Sequence, residues 1–122
     1  MPRAVLLVDH GSRRDEANAQ LEDLAEKVRA RLPDWDVATA HLEIAPPSVA
    51  EGIDGCVARG ASEIVIHPFF LAPGRHSAVD LPRLAREGAA RHPSVSIRVG
   101  PELGLHPALV EAVLARIAEG AG

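Results

Sequence analysis

Ala4-Val5-Leu6-Leu7-Val8-Asp9-His10-Gly11-Ser12-Arg13 begins as an unbroken apolar run and then breaks into a polar, glycine-containing turn. An apolar run without alternation reads as a strand buried on both faces, the mark of a parallel sheet. The next segment is helical in spacing. Leu21, Leu24, Ala25, Val28 and Leu32 fall on one side, with Glu22, Asp23, Glu26, Lys27 and Arg29 on the other. Ser12 and Asp15 have the spacing of a capping box for this helix, and Pro33 ends it.

The same plan recurs along the chain. Trp35 to Glu43 reads as a second strand, and Pro46-Pro47-Ser48 opens a helix carrying Val49, Ile53, Cys56 and Val57 that Gly60 closes. Glu63-Ile64-Val65-Ile66-His67 is a third strand running into Pro68-Phe69-Phe70-Leu71. A glycine-containing loop from Ala72 to Ser77 leads to a helix over about Val79–Arg91. Ser94 to Val99 alternates as a more exposed fourth strand, and His106-Pro107 opens a last helix with Leu109, Val110, Val113, Leu114 and Ile117. Successive βα units predict an α/β fold, a single doubly wound four-stranded parallel sheet of order 2-1-3-4 with helices on both faces. Residues 1–122 read as one domain.

Composition narrows the function. The 122 residues are 47% apolar and 25% charged, the balance of an ordinary globular domain and not of a disordered chain. Thirteen basic against seventeen acidic residues leave a net charge of −4, which predicts no nucleic-acid or anionic-lipid footprint. Trp35, Phe69 and Phe70 are the only aromatics, too few for base-stacking platforms. The single cysteine, Cys56, excludes an internal disulfide framework and a cysteine-rich zinc site. The apolar stretches are too short to span a bilayer, and Asp9 interrupts the first within a few residues, unlike a leader. A soluble cytoplasmic protein is expected, with no membrane partner.

In a doubly wound sheet, ligands bind beyond the carboxyl ends of the strands, at the switch point between strands 1 and 3. Asp9-His10-Gly11-Ser12-Arg13 ends strand 1, His41-Leu42-Glu43 ends strand 2, and His67-Pro68 ends strand 3 ahead of Gly74-Arg75-His76. Four of the six histidines therefore converge on one edge. His10 stands where a buried strand meets a glycine turn, placed to act as a metal ligand or general base. His76 would supply a second imidazole, a pairing suited to Co²⁺, Ni²⁺ or Fe²⁺. Glu43 is the nearest carboxylate, fit to ligate, to orient an imidazole or to take a proton, and equally to cap the following helix. His41 alternates with Glu43 and shares its side of the strand, while His67 reads as a satisfied core histidine. Arg13 and Arg75 flank the two histidines and suit a substrate bearing carboxylates or phosphates. Phe70 and its neighbours would wall a flat ligand or simply end a core strand.

Leu6-Leu7-Val8-Asp9-His10-Gly11-Ser12-Arg13, Glu43 with Pro47-Ser48, Pro68-Phe69-Phe70-Leu71, Gly74-Arg75-His76 and Asp80-Leu81-Pro82 together carry a resemblance to the class II tetrapyrrole chelatases. In particular the chain resembles the small sirohydrochlorin chelatases of the CbiX/SirB type, from strand 1 into the last helix. The resemblance implies a flavodoxin-like chelatase half that inserts cobalt or iron, and in a related branch nickel, into sirohydrochlorin for cobalamin or siroheme. It implies His10 and His76 as the catalytic, metal-binding pair, with the metal as substrate and no organic cofactor. Glu43 would assist the reaction, and Ser12, Arg13, Arg75 and Phe70 would line the tetrapyrrole site. Larger members hold two such domains, so a one-lobe chain implies a homodimer. Asp9 departs from the glycine that often precedes the first histidine. A non-catalytic metal or tetrapyrrole carrier would need the same histidines, whereas a histidine-type phosphatase would call for arginine where Asp9 stands.

Overall fold

The computed structural model describes every residue except Met1, Pro73, Arg75 and His76, and gives only the backbone of Ser77. Eight elements alternate: β1 (Arg3–Asp9), α1 (Asp15–Arg31), β2 (Trp35–His41), α2 (Val49–Ala58), β3 (Glu63–Pro68), α3 (Ser77–Arg91), β4 (Ser96–Val99) and α4 (Pro107–Ala121). The strands form one parallel sheet in the order β2-β1-β3-β4. The α/β class and strand order expected from the repeated pattern are those observed.

β1 runs through the middle of the sheet, and its continuous apolar run serves both faces. Ala4, Leu6 and Val8 enter one core with Val49, Ile53 and Cys56 of α2 and Leu81 and Ala85 of α3. Val5 and Leu7 enter the other with Leu21 and Ala25 of α1 and Val37 of β2. Truncating Leu6 or Leu7 to alanine is expected to cost about 2–5 kcal/mol.

Three local expectations are corrected. The capping box predicted at Ser12 does not form. α1 starts at Asp15 behind Arg14, which makes no side-chain cap. The Asn18 side chain holds the Ser12 peptide instead: its Oδ1 accepts the Ser12 N–H (2.9 Å) and its Nδ2 donates to the Ser12 carbonyl (2.8 Å). The capping box belongs to α2, where Ser48 and Glu51 satisfy one another's backbone N–H groups (2.8 and 3.1 Å). Second, β2 ends at His41 and not at Glu43, because the His41 N–H turns to the Pro47 carbonyl (2.8 Å). Third, the last helix forms with its predicted stripe, but no residue of it is buried and it has no substantial packing against another element.

His67 pairs in register with Leu7, so it lies on the α1 side of β3, half-buried. Burial holds its imidazole below the ordinary histidine value. The native state therefore resists protonation there, while the unfolded chain takes up a proton near the usual value of ~6.5. Stability is expected to fall as pH drops through that value, with no cost above it. Thermal melts at pH 7.5 and 5.5 should show a smaller acid loss for His67→Gln than for the wild type; equal losses would exclude His67 as the source.

Candidate active site

Every strand delivers its carboxyl end to one edge, and the turn after β1 is the centre of that edge. Two backbone bonds extend the pairing past the strands: the Leu42 N–H donates to the Asp9 carbonyl (2.9 Å) and the Glu43 N–H to the His10 carbonyl (3.1 Å). Glu43 is thus tied to His10 through the main chain, while its carboxylate side chain stays exposed. Gly11, at φ +89°, makes the close approach possible: a Cβ there would strike the Glu43 carbonyl oxygen and lie 3.2 Å from the His41 side chain.

His10 is exposed, and its ring stacks on Phe70 with centroids 4.2 Å apart and planes 25° from parallel. Phe70 itself is buried, so the aromatic expected to wall a ligand is the floor on which the imidazole rests. The Phe69 N–H bonds to the Val8 carbonyl (2.7 Å), which brings the segment after β3 alongside the turn after β1. The loops after β1, β2 and β3 therefore meet at His10.

His41 departs from its expected place. It is only 5% exposed and does not share the exposed edge with Glu43. Its Nδ1 lies 2.5 Å from Asp9 Oδ1, and the same carboxylate oxygen accepts the Gly11 N–H (3.0 Å). The pair is legible only in three dimensions, because it needs Asp9 and His41 as in-register neighbours on β1 and β2. The Asp9 side chain thus anchors the turn that carries His10.

Ser12 is partly buried, and its Oγ accepts the Arg14 N–H (3.0 Å). Arg13 is exposed and makes no ion pair among the described residues, whereas Arg14 pairs with Glu16 (3.0 Å). Arg75 and His76, the other expected cation and imidazole, lie outside the described residues. Among the described residues no three histidine, cysteine or carboxylate side chains gather into a metal-binding group. A cleft of about 290 Å³ opens between Phe70, the first turns of α3 (Ala78, Leu81, Pro82) and Val99 at the end of β4. It is at the lower limit of pockets that enclose drug-sized ligands, too small to surround a macrocycle.

The CbiX family profile matches residues 4–120. The chain belongs to the CbiX family. One relative, the chloroplastic sirohydrochlorin ferrochelatase of Arabidopsis thaliana, is 38% identical over 113 residues, covering 93% of this chain and 50% of its own. Among solved structures, the sirohydrochlorin chelatase SirB from Bacillus subtilis subspecies spizizenii, in complex with cobalt, superposes with a TM-score of 0.89 at 30% identity. That match covers 98% of this CbiX chain and 51% of SirB. A CbiX protein from Marinobacter aquaeolei VT8 matches over 98% of both chains, with a TM-score of 0.85 and 29% identity. This CbiX chain therefore spans about half the length of these two chelatases, and the whole length of the Marinobacter protein. Among the described residues, no helix is long and apolar enough to cross a membrane.

Proposed function

We propose that this CbiX-family chain inserts a divalent metal, cobalt or iron, into sirohydrochlorin, in the cytoplasm and as a homodimer. The observation that carries the reading is the exposed His10 imidazole, stacked on Phe70 at the strand-end edge of a chain similar over nearly its whole length to sirohydrochlorin chelatases.

Insertion exchanges two pyrrole N–H protons for one M²⁺ ion, so the site must present the ion and accept protons. Neutral imidazoles of His10 and His76 would hold the metal before transfer. The stack on Phe70 and the Asp9 anchor restrict where the His10 ring points, which lowers the cost of ordering it during transfer. The exposed Glu43 carboxylate, one backbone bond from His10, would take a pyrrole proton. Arg13 and Arg75, with the Ser12 hydroxyl, would meet the carboxylates at the rim of sirohydrochlorin.

Dimerisation is supported by α4. Val110, Val113, Leu114 and Ile117 fall at i, i+3, i+4 and i+7, and each is 49–59% exposed. An unpacked helix of this length is marginal in water, and a continuous apolar stripe marks a surface that another protein covers. A second copy is the occupant proposed, because the Arabidopsis thaliana ferrochelatase and the Bacillus subtilis SirB similar to this chain are each about twice its length.

The test is a spectrophotometric assay of purified protein with sirohydrochlorin and Co²⁺, repeated anaerobically with Fe²⁺. Metallation should run well above the protein-free rate with at least one ion. Tight binding of metal or tetrapyrrole without any acceleration would identify a carrier and overturn the chelatase reading.

A further inference from the structure

Exposed large apolar side chains occur in two places among the described residues. One is α4 with the Leu105 before it. The other is the carboxyl edge of the sheet, where Ile44 is 61% exposed, Leu71 65% and Val79 64%. These three follow β2, follow β3 and lie in the first turn of α3, and the first two of those segments touch the His10 turn.

Ile44 is also strained. Its φ is +73°, and the Ala45 N–H donates to the Glu43 carbonyl (2.8 Å) across it. An i→i+2 bond around a residue at this φ is the rare γ-turn, and positive φ in a β-branched residue is a genuine outlier. The turn is held from both sides. The Glu43 N–H is bonded to the His10 carbonyl, the Glu43 carbonyl rests against Gly11, and β2 is bonded to Pro47 just beyond. Glycine or asparagine would adopt this turn at lower cost. With most of its surface in water, the Ile44 side chain offsets little of the strain by packing within its own chain.

We propose that Ile44 is a substrate-contacting residue, held in a strained turn beside Glu43 and His10 to meet the flat apolar face of a tetrapyrrole. This rests on the functional reading above and adds a residue to it. Two observations favour the macrocycle over a second copy of the chain as occupant. Ile44 continues the backbone that is bonded to His10, and it shares its edge with Arg13, a cation without an ion pair among the described residues, which complements the carboxylates of the same ligand. The stripe on α4 supplies a separate surface for a partner chain.

The test compares Ile44→Gly, Ile44→Ala and Ile44→Leu with the wild type. It follows melting temperature, sirohydrochlorin binding without metal by fluorescence quenching, Co²⁺ binding without sirohydrochlorin, insertion kinetics and sedimentation. Ile44→Gly should melt a few degrees higher, since relief of the turn exceeds the entropy cost of glycine. Its sirohydrochlorin affinity should nevertheless fall about tenfold, the loss of one aliphatic contact, with the kinetic defect in KM and Co²⁺ affinity unaltered. Ile44→Ala should lose affinity without the full gain in stability, and Ile44→Leu should retain most of the affinity. Wild-type affinity in both Ile44→Gly and Ile44→Ala would overturn the proposal. So would loss of affinity that tracks dissociation to monomer, which would make Ile44 a subunit contact. Should the wild type itself neither bind sirohydrochlorin nor insert metal, the functional reading fails, whatever the variants do.

Discussion

His10→Ala is expected to lower the rate of metal insertion by about 10³-fold or more while the protein stays folded. The activity loss is large because one side chain is asked both to hold the ion and to assist proton transfer, and general acid–base assistance alone contributes about 10²–10⁴. The stability loss is small because the ring is exposed and its one described contact is the Phe70 stack, worth about 0.5–1.5 kcal/mol. Circular dichroism and a thermal melt separate the two effects, and Co²⁺ titration of the variant should show weakened binding. Phe70→Leu is the informative companion. It keeps the imidazole but removes its floor, so it should reduce insertion less than His10→Ala while costing more stability. If His10→Ala inserted metal at the wild-type rate under saturating Co²⁺, His10 would have to be withdrawn from the site.

The second large effect is expected from α4. Val113→Glu with Leu114→Glu puts two carboxylates into the middle of the stripe, at positions already half in water. Such residues cost an isolated chain little, but charges buried in an interface without partners disrupt it. Light scattering at micromolar concentration should report twice the chain mass for the wild type and the chain mass for the double variant. Insertion should fall with dimer content, as the homodimer proposed above requires. The C2 symmetry of such a dimer requires the patch to complement itself, so one pair of substitutions acts twice. A wild-type monomer that still inserts metal would remove the dimer from the mechanism.

How much of the site could be read in advance varied residue by residue. His10 and Gly11 were legible because a buried strand ending in His-Gly has few uses, and the strand-end rule places it at a ligand edge. The short contact between Gly11 and Glu43 explains why glycine stands there, yet it depends on how closely the chain after β2 passes the turn. His41 illustrates the limit. Alternation assigned it to Glu43's side, but β2 stops at His41, and the buried ring turns to Asp9. Alternation holds only while a chain remains a strand, and the end of a strand is set by competing backbone partners such as Pro47.

Ile44 left no trace in the pattern at all. Nothing about an isoleucine between Glu43 and Ala45 announces positive φ, since local propensity argues against it. The cap at α1 differs for a related reason: Asn18, one turn into the helix, takes the Ser12 N–H that the Asp15 carboxylate would accept in a capping box, and the Ser12 Oγ accepts the Arg14 N–H instead.

The amino-acid sequence by itself determined the α/β class, the strand order, the helix stripes and the presence of a histidine at the switch point. Each of these follows from hydrophobic periodicity and short-range sterics, which act over a few residues. Tertiary structure alone decided that Asp9 pairs with His41, that Phe70 supports His10, that Ile44 is strained and exposed, and that α4 is left unpacked. Those outcomes depend on register across the sheet and on which groups reach a donor, an acceptor or a core first, and that competition is settled between segments distant in the chain.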